Sequence, residues 1–395
     1  MTEKRYFDDP MRTEFTAEIV GTRRDERGFG VVLPFTFFYP SGGGQSNDIG
    51  TIGTARVMDV FFDGGDIVHL LDRELELGEY SAKIDWDRRF ANMQHHSGQH
   101  ILSAVFWKVL KLETTSSHIA INSPSTIDFD VNSLSAKEIT SVEQKANQLV
   151  FENRAVKAYF VENKESVPFR RAPKVDGEIR VIELADYDYS ACGGTHVPQT
   201  GMVGMLKILR VERVNKKIRV HFVAGSQALV FFDKYQNAAQ KSANLLKVGV
   251  DEIAKSVENL QIQFKDVGKE LKTLHELSLN IEVEKMVQHA EKVGKIWLIT
   301  KLFEKRNPSE LRALAIKLRN YPDIVAVLAS VDAKKLSLVI ACAEGVKISA
   351  NDLLRKHLAP FDGRGGGDKF IAQGGGTIDK TGEIFENTVE MMRRS

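Results

Sequence analysis

The apolar residues of this chain change their period along its length, and each change marks a different architecture. Up to about residue 85 they alternate or cluster in short runs, at 15–20, 30–33, 54–62 and 67–71, with glycine turns between. Period-two runs of that length predict strands, and Asp63-Gly64-Gly65-Asp66 between the last two predicts a hairpin. Short strands at regular spacing suggest a small β-barrel over residues 1–85. From 86 to 225 the periods mix. Helices are predicted over 91–112 and 135–153, the second opened by a Ser135/Glu138 capping box. Strands are predicted over 125–131, 156–162 and 179–184, and a hairpin joins 205–214 to 217–223. Helices against a mostly antiparallel sheet make this an α+β domain.

Between 226 and 290 the spacing settles into alternating threes and fours: Ala243, Leu246, Val250, Ile253, Val257, Leu260, Phe264, Val267, Leu271 and Leu274. A heptad seam sustained this long predicts a coiled coil, interrupted at Gly249 and Gly268. One unbroken seam needs an equally long partner, which favours a homodimer over an intramolecular helix pair. From 291 to 395 strand and helix alternate. Strands fall at 296–300, 323–331 and 336–343, and helices at 308–320 and 350–358, the first of these with Asn307 as cap and Pro308 as first residue. The fold class expected is thus an α+β multidomain chain: β-barrel, α+β core, coiled-coil segment and C-terminal α/β domain.

Composition narrows the function. A net charge of +1 over 395 residues supplies no bulk basic field, so any nucleic-acid binding must use local patches. One such patch is Arg210, Arg213, Lys216, Lys217 and Arg219 on the second hairpin, read either as a solvated turn or as a phosphate-contacting edge. Two cysteines exclude a disulfide framework and fit a reducing, cytoplasmic setting. The N-terminal residues lack the apolar core of a signal peptide. No apolar run approaches the roughly 18 residues of a membrane span, so no membrane partner is expected.

Two short stretches carry candidate chemistry. In the helix predicted over 91–112, His96 and His100 stand at i and i+4 and share a face. The neighbouring His95 is off that face and is read either as a candidate base beside it or as a packed surface histidine. About a hundred residues on, Cys192-Gly193-Gly194-Thr195-His196 pairs a thiol and an imidazole four apart. Three imidazoles and one thiolate suit a tetrahedral Zn²⁺. The His-Glu-x-x-His glutamate of zinc proteases is absent, so a hydrolytic base would not be delivered that way. Four protein ligands describe a closed structural site, whereas three plus water is the catalytic pattern. A third stretch, Ser41-Gly42-Gly43-Gly44-Gln45, allows close backbone approach to a ligand or a flexible turn, and lacks the lysine of a phosphate-binding P-loop. Near the C-terminus, glycine clusters at 363–367 and 374–376 bracket a basic, aromatic segment. They are read as a mobile loop or as a phosphate contact through Arg364.

These motifs together resemble the alanyl-tRNA editing proteins of the AlaX family, relatives of the editing domain of alanyl-tRNA synthetase. The strings that carry the resemblance are Phe38-Tyr39-Pro40 through Gly50, Ile84-Asp85-Trp86, His96 to His100, Pro168-Phe169-Arg170 and Cys192 to Val197. The terminal glycine clusters look like the DHH-associated domain, which makes the chain similar to the long form of the family. Departures are Ser41 where an acidic residue is common, Met202 after Thr200-Gly201 where glutamate is frequent, and Ser117-His118-Ile119-Ala120, which lacks a usual glycine.

The resemblance implies that His96, His100, Cys192 and His196 hold one zinc ion. It implies that Thr36 faces the aminoacyl group and that Gly42, Gly43, Gly44 and Gln45 lie beside the terminal adenosine. Thr36, Gln45 and His95 are the candidate catalytic side chains. The implied reaction is hydrolysis of the ester joining serine, or glycine, to tRNA(Ala). A pocket for alanine rejects the extra hydroxyl of serine weakly, and a second hydrolytic site answers that weakness. Two alternatives stay open: a non-catalytic tRNA-binding module with structural zinc, and a zinc hydrolase of a small aminoacyl ester.

Overall fold

The seam predicted as one continuous coiled coil is split by a turn. Helix α3 (Gly225–Leu246) ends where Lys247 takes a left-handed φ of 56°, a short 3-10 turn follows at Val250–Glu252, and α4 (Ile253–Gln288) begins. Gly249 breaks the run, because its backbone N–H is capped by Glu252 rather than by a helical carbonyl. Gly268 passes unbroken inside α4. The computed structural model describes residues 1–173, 177–332, 335–358, 363–377 and 389–390. The chain falls into two compact units, Met1–Leu245 and Leu246–Ser395.

In the first unit, seven antiparallel strands form one sheet in the order Glu14–Ile19, Gly78–Ile84, Gly50–Ile52, Ala55–Asp63, Asp66–Leu71, Gly28–Val32, Gly21–Asp25. The Asp63–Asp66 hairpin forms as read. A closed barrel does not: no ladder among the described residues joins the two end strands. They are consecutive in sequence, and the chain simply runs from one into the other at Val20. The inward positions of the alternation, among them Phe15, Ala17, Ile19, Val57, Val60 and Ile84, make a core with Phe37 and Phe38.

Helix α1 (Trp86–Leu110) starts five residues before the apolar period does, because the Asp85 carboxylate caps it through the Arg88 N–H. Helix α2 (Ala136–Phe151) has the full Ser135/Glu138 capping box. Both pack on a four-stranded antiparallel sheet ordered Thr114–His118, Ser125–Phe129, Lys217–Ala224, Leu206–Val214. Ile101, Leu102, Val105 and Phe106 of α1 meet Phe129, Val220 and Phe222 of the sheet and Leu149 of α2. A three-stranded sheet, Val156–Val161, Ile179–Leu184, Asp188–Ala191, carries the loop that holds Cys192. On the basic hairpin, Arg219 is committed to a bidentate pair with Asp128 at 2.7 and 2.8 Å.

The N-terminal sheet is tied to α1 by a buried ion pair. Arg89 and Asp48 are both fully buried, joined through Arg89 Nε at 3.1 and 3.0 Å and through Nη2. Asp48 also accepts from the Tyr39 N–H at 2.7 Å. The glycine stretch between Tyr39 and Asp48 is thereby pinned against the helix that carries the histidines.

In the second unit, six strands run in the order Glu291–Val293, Ile296–Glu304, Ile324–Asp332, Lys335–Cys342, Ile371–Thr377, Arg364–Gly367. Ile296–Glu304 and Ile324–Asp332 are parallel, joined by α5 (Pro308–Leu318), whose cap Asn307 accepts from the Ser309 N–H. Helix α6 (Ala350–Leu358) packs Leu354 and Leu358 onto the sheet. The terminal glycine clusters are therefore strands rather than a loop. A Cβ at Gly365 would lie 2.6 Å from the Gly374 Cα, and one at Gly375 would overlap the Leu336 carbonyl, so only glycine lets these strands approach. Arg364 sits exposed at the start of the last strand of that sheet.

Along α4, Val257, Leu260, Phe264, Val267, Leu271 and Leu274 are 40–82% exposed in the single chain. Only its end is covered, where Leu279 and Val283 join Leu311 and Leu314. No helix among the described residues is long and apolar enough to cross a membrane.

Candidate metal centre

Spacing on α1 and on the Cys192 loop brings four side chains to one point. One donor atom from each of His96, His100, Cys192 and His196 lies within 4.8 Å of the others. His96 Nε2 is 3.3 Å and His196 Nε2 3.4 Å from Cys192 Sγ. Those spans match the roughly 3.5 Å that ligand lengths of about 2.05 and 2.3 Å subtend at a tetrahedral zinc. The three rings pack against one another with centroids 4.4–5.2 Å apart. Burial holds His96 down to about 4 and His100 and His196 well below their ordinary values, so all three rings are neutral. Burial pushes the Cys192 thiol up, against a hydrogen bond from the Gly194 N–H that favours its thiolate. His100 Nδ1 is buried with no hydrogen-bond partner among the described residues. Neutral imidazoles, a thiol and an unpaired ring nitrogen fit a divalent, zinc-like ion.

The surroundings fix the rings. Gln45 Oε1 accepts from His96 Nδ1 at 2.7 Å and from the Thr195 N–H, while its Nε2 donates to Thr195 Oγ1 at 2.9 Å. That leaves His96 Nε2 facing the thiol. Ser97 Oγ does the same for His196, 3.1 Å from its Nδ1. A Cβ at Gly194 would overlap the His96 ring, so the loop closes flat upon it. Arg180 is a residue that the sequence reading passed over. Its Nη1 donates to the carbonyls of Cys192 and Gly194 at 3.0 and 2.8 Å, and its guanidinium lies 4.5 Å from the Phe7 ring. Its signal was a charged residue inside the apolar run Ile179-Arg180-Val181-Ile182.

The other candidate residues divide. Gly43 borders a cleft of about 820 Å³ that also reaches His96, His100, Cys192, Gln99, Ser117 and Arg180. Gly44 carries a φ of 82°, and its carbonyl accepts from the Ile119 N–H at 2.8 Å, which backs the glycine stretch with the segment lacking the expected glycine. Gly42 bridges to Gln45 across the turn. Thr36 is fully buried; its hydroxyl is 2.8 Å from His69 Nε2 and accepts from the Phe38 N–H, and it is not among the residues that border the cleft. His95 is held between its own helix and the neighbouring strand. Its Nδ1 is bonded to the Ala91 carbonyl and its Nε2 to the Ala224 N–H, which leaves neither ring nitrogen free to take a proton from water. Arg364 belongs to the second compact unit.

A family model described as the threonyl and alanyl tRNA synthetase second additional domain matches residues 179–219, the segment that holds Arg180, Cys192 and His196. The alanyl-tRNA editing protein AlaX-L of Pyrococcus horikoshii is 28% identical over 422 residues, covering 100% of this chain and 99% of that one. The chain is thus similar over its whole length to an AlaX-type alanyl-tRNA editing protein. The alanine–tRNA ligase of Pyrococcus abyssi is 31% identical over 413 residues, covering 99% of this chain. The chain spans less than half of that ligase, 44% of its length. The C-Ala domain of the Aquifex aeolicus alanyl-tRNA synthetase is 31% identical, covering 27% of this chain and 95% of that one, with a TM-score of 0.25. In this chain the four candidate ligands and the glycine stretch lie in one compact unit, Met1–Leu245.

Proposed function

We propose that this protein hydrolyses the ester bond of mischarged tRNA(Ala), removing serine and also glycine, with one zinc ion held by His96, His100, Cys192 and His196. The observation that carries the reading is the four-donor cluster opening on a cleft beside the glycine stretch, in a chain aligned end to end with an alanyl-tRNA editing protein. Water attacks the ester carbonyl, the bond to the ribose oxygen breaks, and free amino acid and tRNA leave. When bound, the metal would orient the substrate or polarise it as a Lewis acid. The chain itself supplies the rest. Gln45 and Ser97 hold the ring tautomers, the Gly42–Gly44 backbone takes the terminal nucleoside, and Thr36 is assigned the serine hydroxyl. A hydroxyl–hydroxyl bond formed with serine and missing with alanine gives about 1–3 kcal/mol of discrimination.

Two further assignments accompany this reading. The exposed seam of α4 supports a homodimer, and the chain is assigned to the cytoplasm. The test is a deacylation assay with Ser-tRNA(Ala), Gly-tRNA(Ala) and Ala-tRNA(Ala). Faster loss of serine than of alanine is expected. Binding of all three without turnover would make the protein a non-catalytic tRNA-binding module. Turnover of a free seryl ester at the rate of Ser-tRNA(Ala) would make it a small-ester hydrolase.

A further inference from the structure

Among the described residues, four cations border the cleft: Lys4, Arg170, Arg171 and Arg180. Two are neutralised in place. Arg170 pairs with Asp188 at 2.9 Å and Arg171 with Glu113 at 2.9 Å. Lys4 rests over the Phe62 ring at 5.0 Å. Arg180 is different. It is only 7% exposed, and among the described residues it makes no ion pair and its buried Nε has no acceptor. Glu178 also borders the cleft, but it is exposed and pairs with none of these cations among the described residues.

A buried guanidinium is costly unless its N–H groups find acceptors and its charge a counterion. Two backbone carbonyls on Nη1 meet part of that need. An anion with several oxygens would supply the missing counterion, and the planar guanidinium fork matches phosphate geometry better than a point charge does. We propose that Arg180 is the phosphate anchor of the cleft, taking the phosphodiester of the terminal nucleotide whose aminoacyl ester lies at the His–Cys cluster. The inference rests on the editing reading and adds what the cleft recognises: strand backbone charge, read beside the metal loop. Because Nη1 also holds the carbonyls of Cys192 and Gly194, anion docking and the shape of that loop share one side chain.

The test compares two esters, seryl-adenosine without a phosphate and the same seryl ester on a CpCpA trinucleotide. Deacylation is measured for the full chain and for Arg180→Gln and Arg180→Lys, with zinc content determined on each. The loss in kcat/KM on the trinucleotide ester should exceed the loss on seryl-adenosine by about tenfold or more, the worth of one charged hydrogen bond. In calorimetric titrations the unmodified protein should bind adenosine 5′-monophosphate about tenfold more tightly than adenosine, and Arg180→Gln should erase that difference. Equal losses on both esters would overturn the proposal and leave Arg180 a positioning residue for the Cys192 loop. Equal binding of the nucleotide and the nucleoside by the unmodified protein would overturn it too, even if both variants fail to fold. If neither ester is hydrolysed while the phosphate preference and its loss persist, the editing reading fails and the anchor stands.

Discussion

Gln45 and His96, 51 residues apart, are joined by a 2.7 Å hydrogen bond from the ring Nδ1 to the amide oxygen. The bond selects the tautomer with a lone pair on Nε2, the nitrogen 3.3 Å from Cys192 Sγ. Partners of this kind typically govern about 10–100-fold in metal affinity. Gln45→Leu is therefore expected to weaken zinc binding by about that factor, and Gln45→Glu, which keeps an acceptor, by less. Competition against a chromophoric chelator reads both. Unaltered affinity in Gln45→Leu would mean the ring is oriented by packing alone.

Proton release on zinc uptake should report the protonation state of the four ligands. Burial keeps the three imidazoles neutral and the Cys192 thiol protonated at pH 7. Only the thiol must lose a proton for metal to bind, so uptake of zinc should release about one proton per ion. Affinity should rise with pH until the thiol is ionised. Calorimetry in buffers of different ionisation enthalpy gives the stoichiometry. A value of two or more would show that a ring was charged.

Loss of a ligand is a harsher test. His100→Ala removes an imidazole with no hydrogen-bonding role to preserve at Nδ1. It should abolish deacylation and lower zinc content together, as metal analysis and the charged-tRNA assay would show. Normal turnover would detach the metal from the reaction.

Thr36→Val replaces a fully buried hydroxyl that bonds His69 Nε2 and the Phe38 N–H. The preference for serine over alanine should fall about ten- to a hundredfold, the equivalent of 1–3 kcal/mol. A serine-to-alanine ratio that does not move would remove Thr36 from substrate selection.

His69 itself predicts a pH dependence of stability. Burial lowers its pKa from 6.5 to about 4. A depressed base favours the fold while neutral, so its contribution is whole above about 6.5 and is lost as pH falls from there through 4. The shift corresponds to about 3 kcal/mol. Urea unfolding between pH 7 and 4 should show this loss, and a shallower one in His69→Gln. Parallel slopes for the two proteins would exclude the ring as the source.

What could be read from residue order was local. Both ligand pairs stand four apart, so helix and loop geometry brings each pair together whatever the distant chain does. The capping box of α2, the Asp63–Asp66 turn and the Asn307-Pro308 start of α5 are local in the same sense. Gln45 on Thr195 spans 150 residues, and no short-range pattern announces such a contact. The packing of His95 is not local either: adjacency on a helix says nothing about which neighbour packs on the other face, and here it is the strand ending at Ala224. The terminal glycines were misread because a missing side chain permits a loop and a tight strand pair equally. Only the Leu336 and Gly374 backbones decide between them.

The seam on α4 predicts self-association. Leu260→Glu with Leu271→Glu places charge on a face that is 55% and 67% exposed in one chain, where the substitution costs the monomer little. Sedimentation should show the unmodified protein as a dimer and the double variant as a monomer. An unmodified monomer at micromolar concentration would leave that face without a second copy.

The buried pair of Arg89 and Asp48 has a consequence for anyone dissecting this protein. A gene fragment beginning at residue 86 would carry the guanidinium into the interior with its counterion amputated, at a cost of about 3–5 kcal/mol. The complementary fragment would inherit an orphan carboxylate where the glycine stretch turns. The first eighty-odd residues are thus not an accessory that can be shuffled onto another scaffold; the histidine helix and the sheet before it are heritable only as one piece.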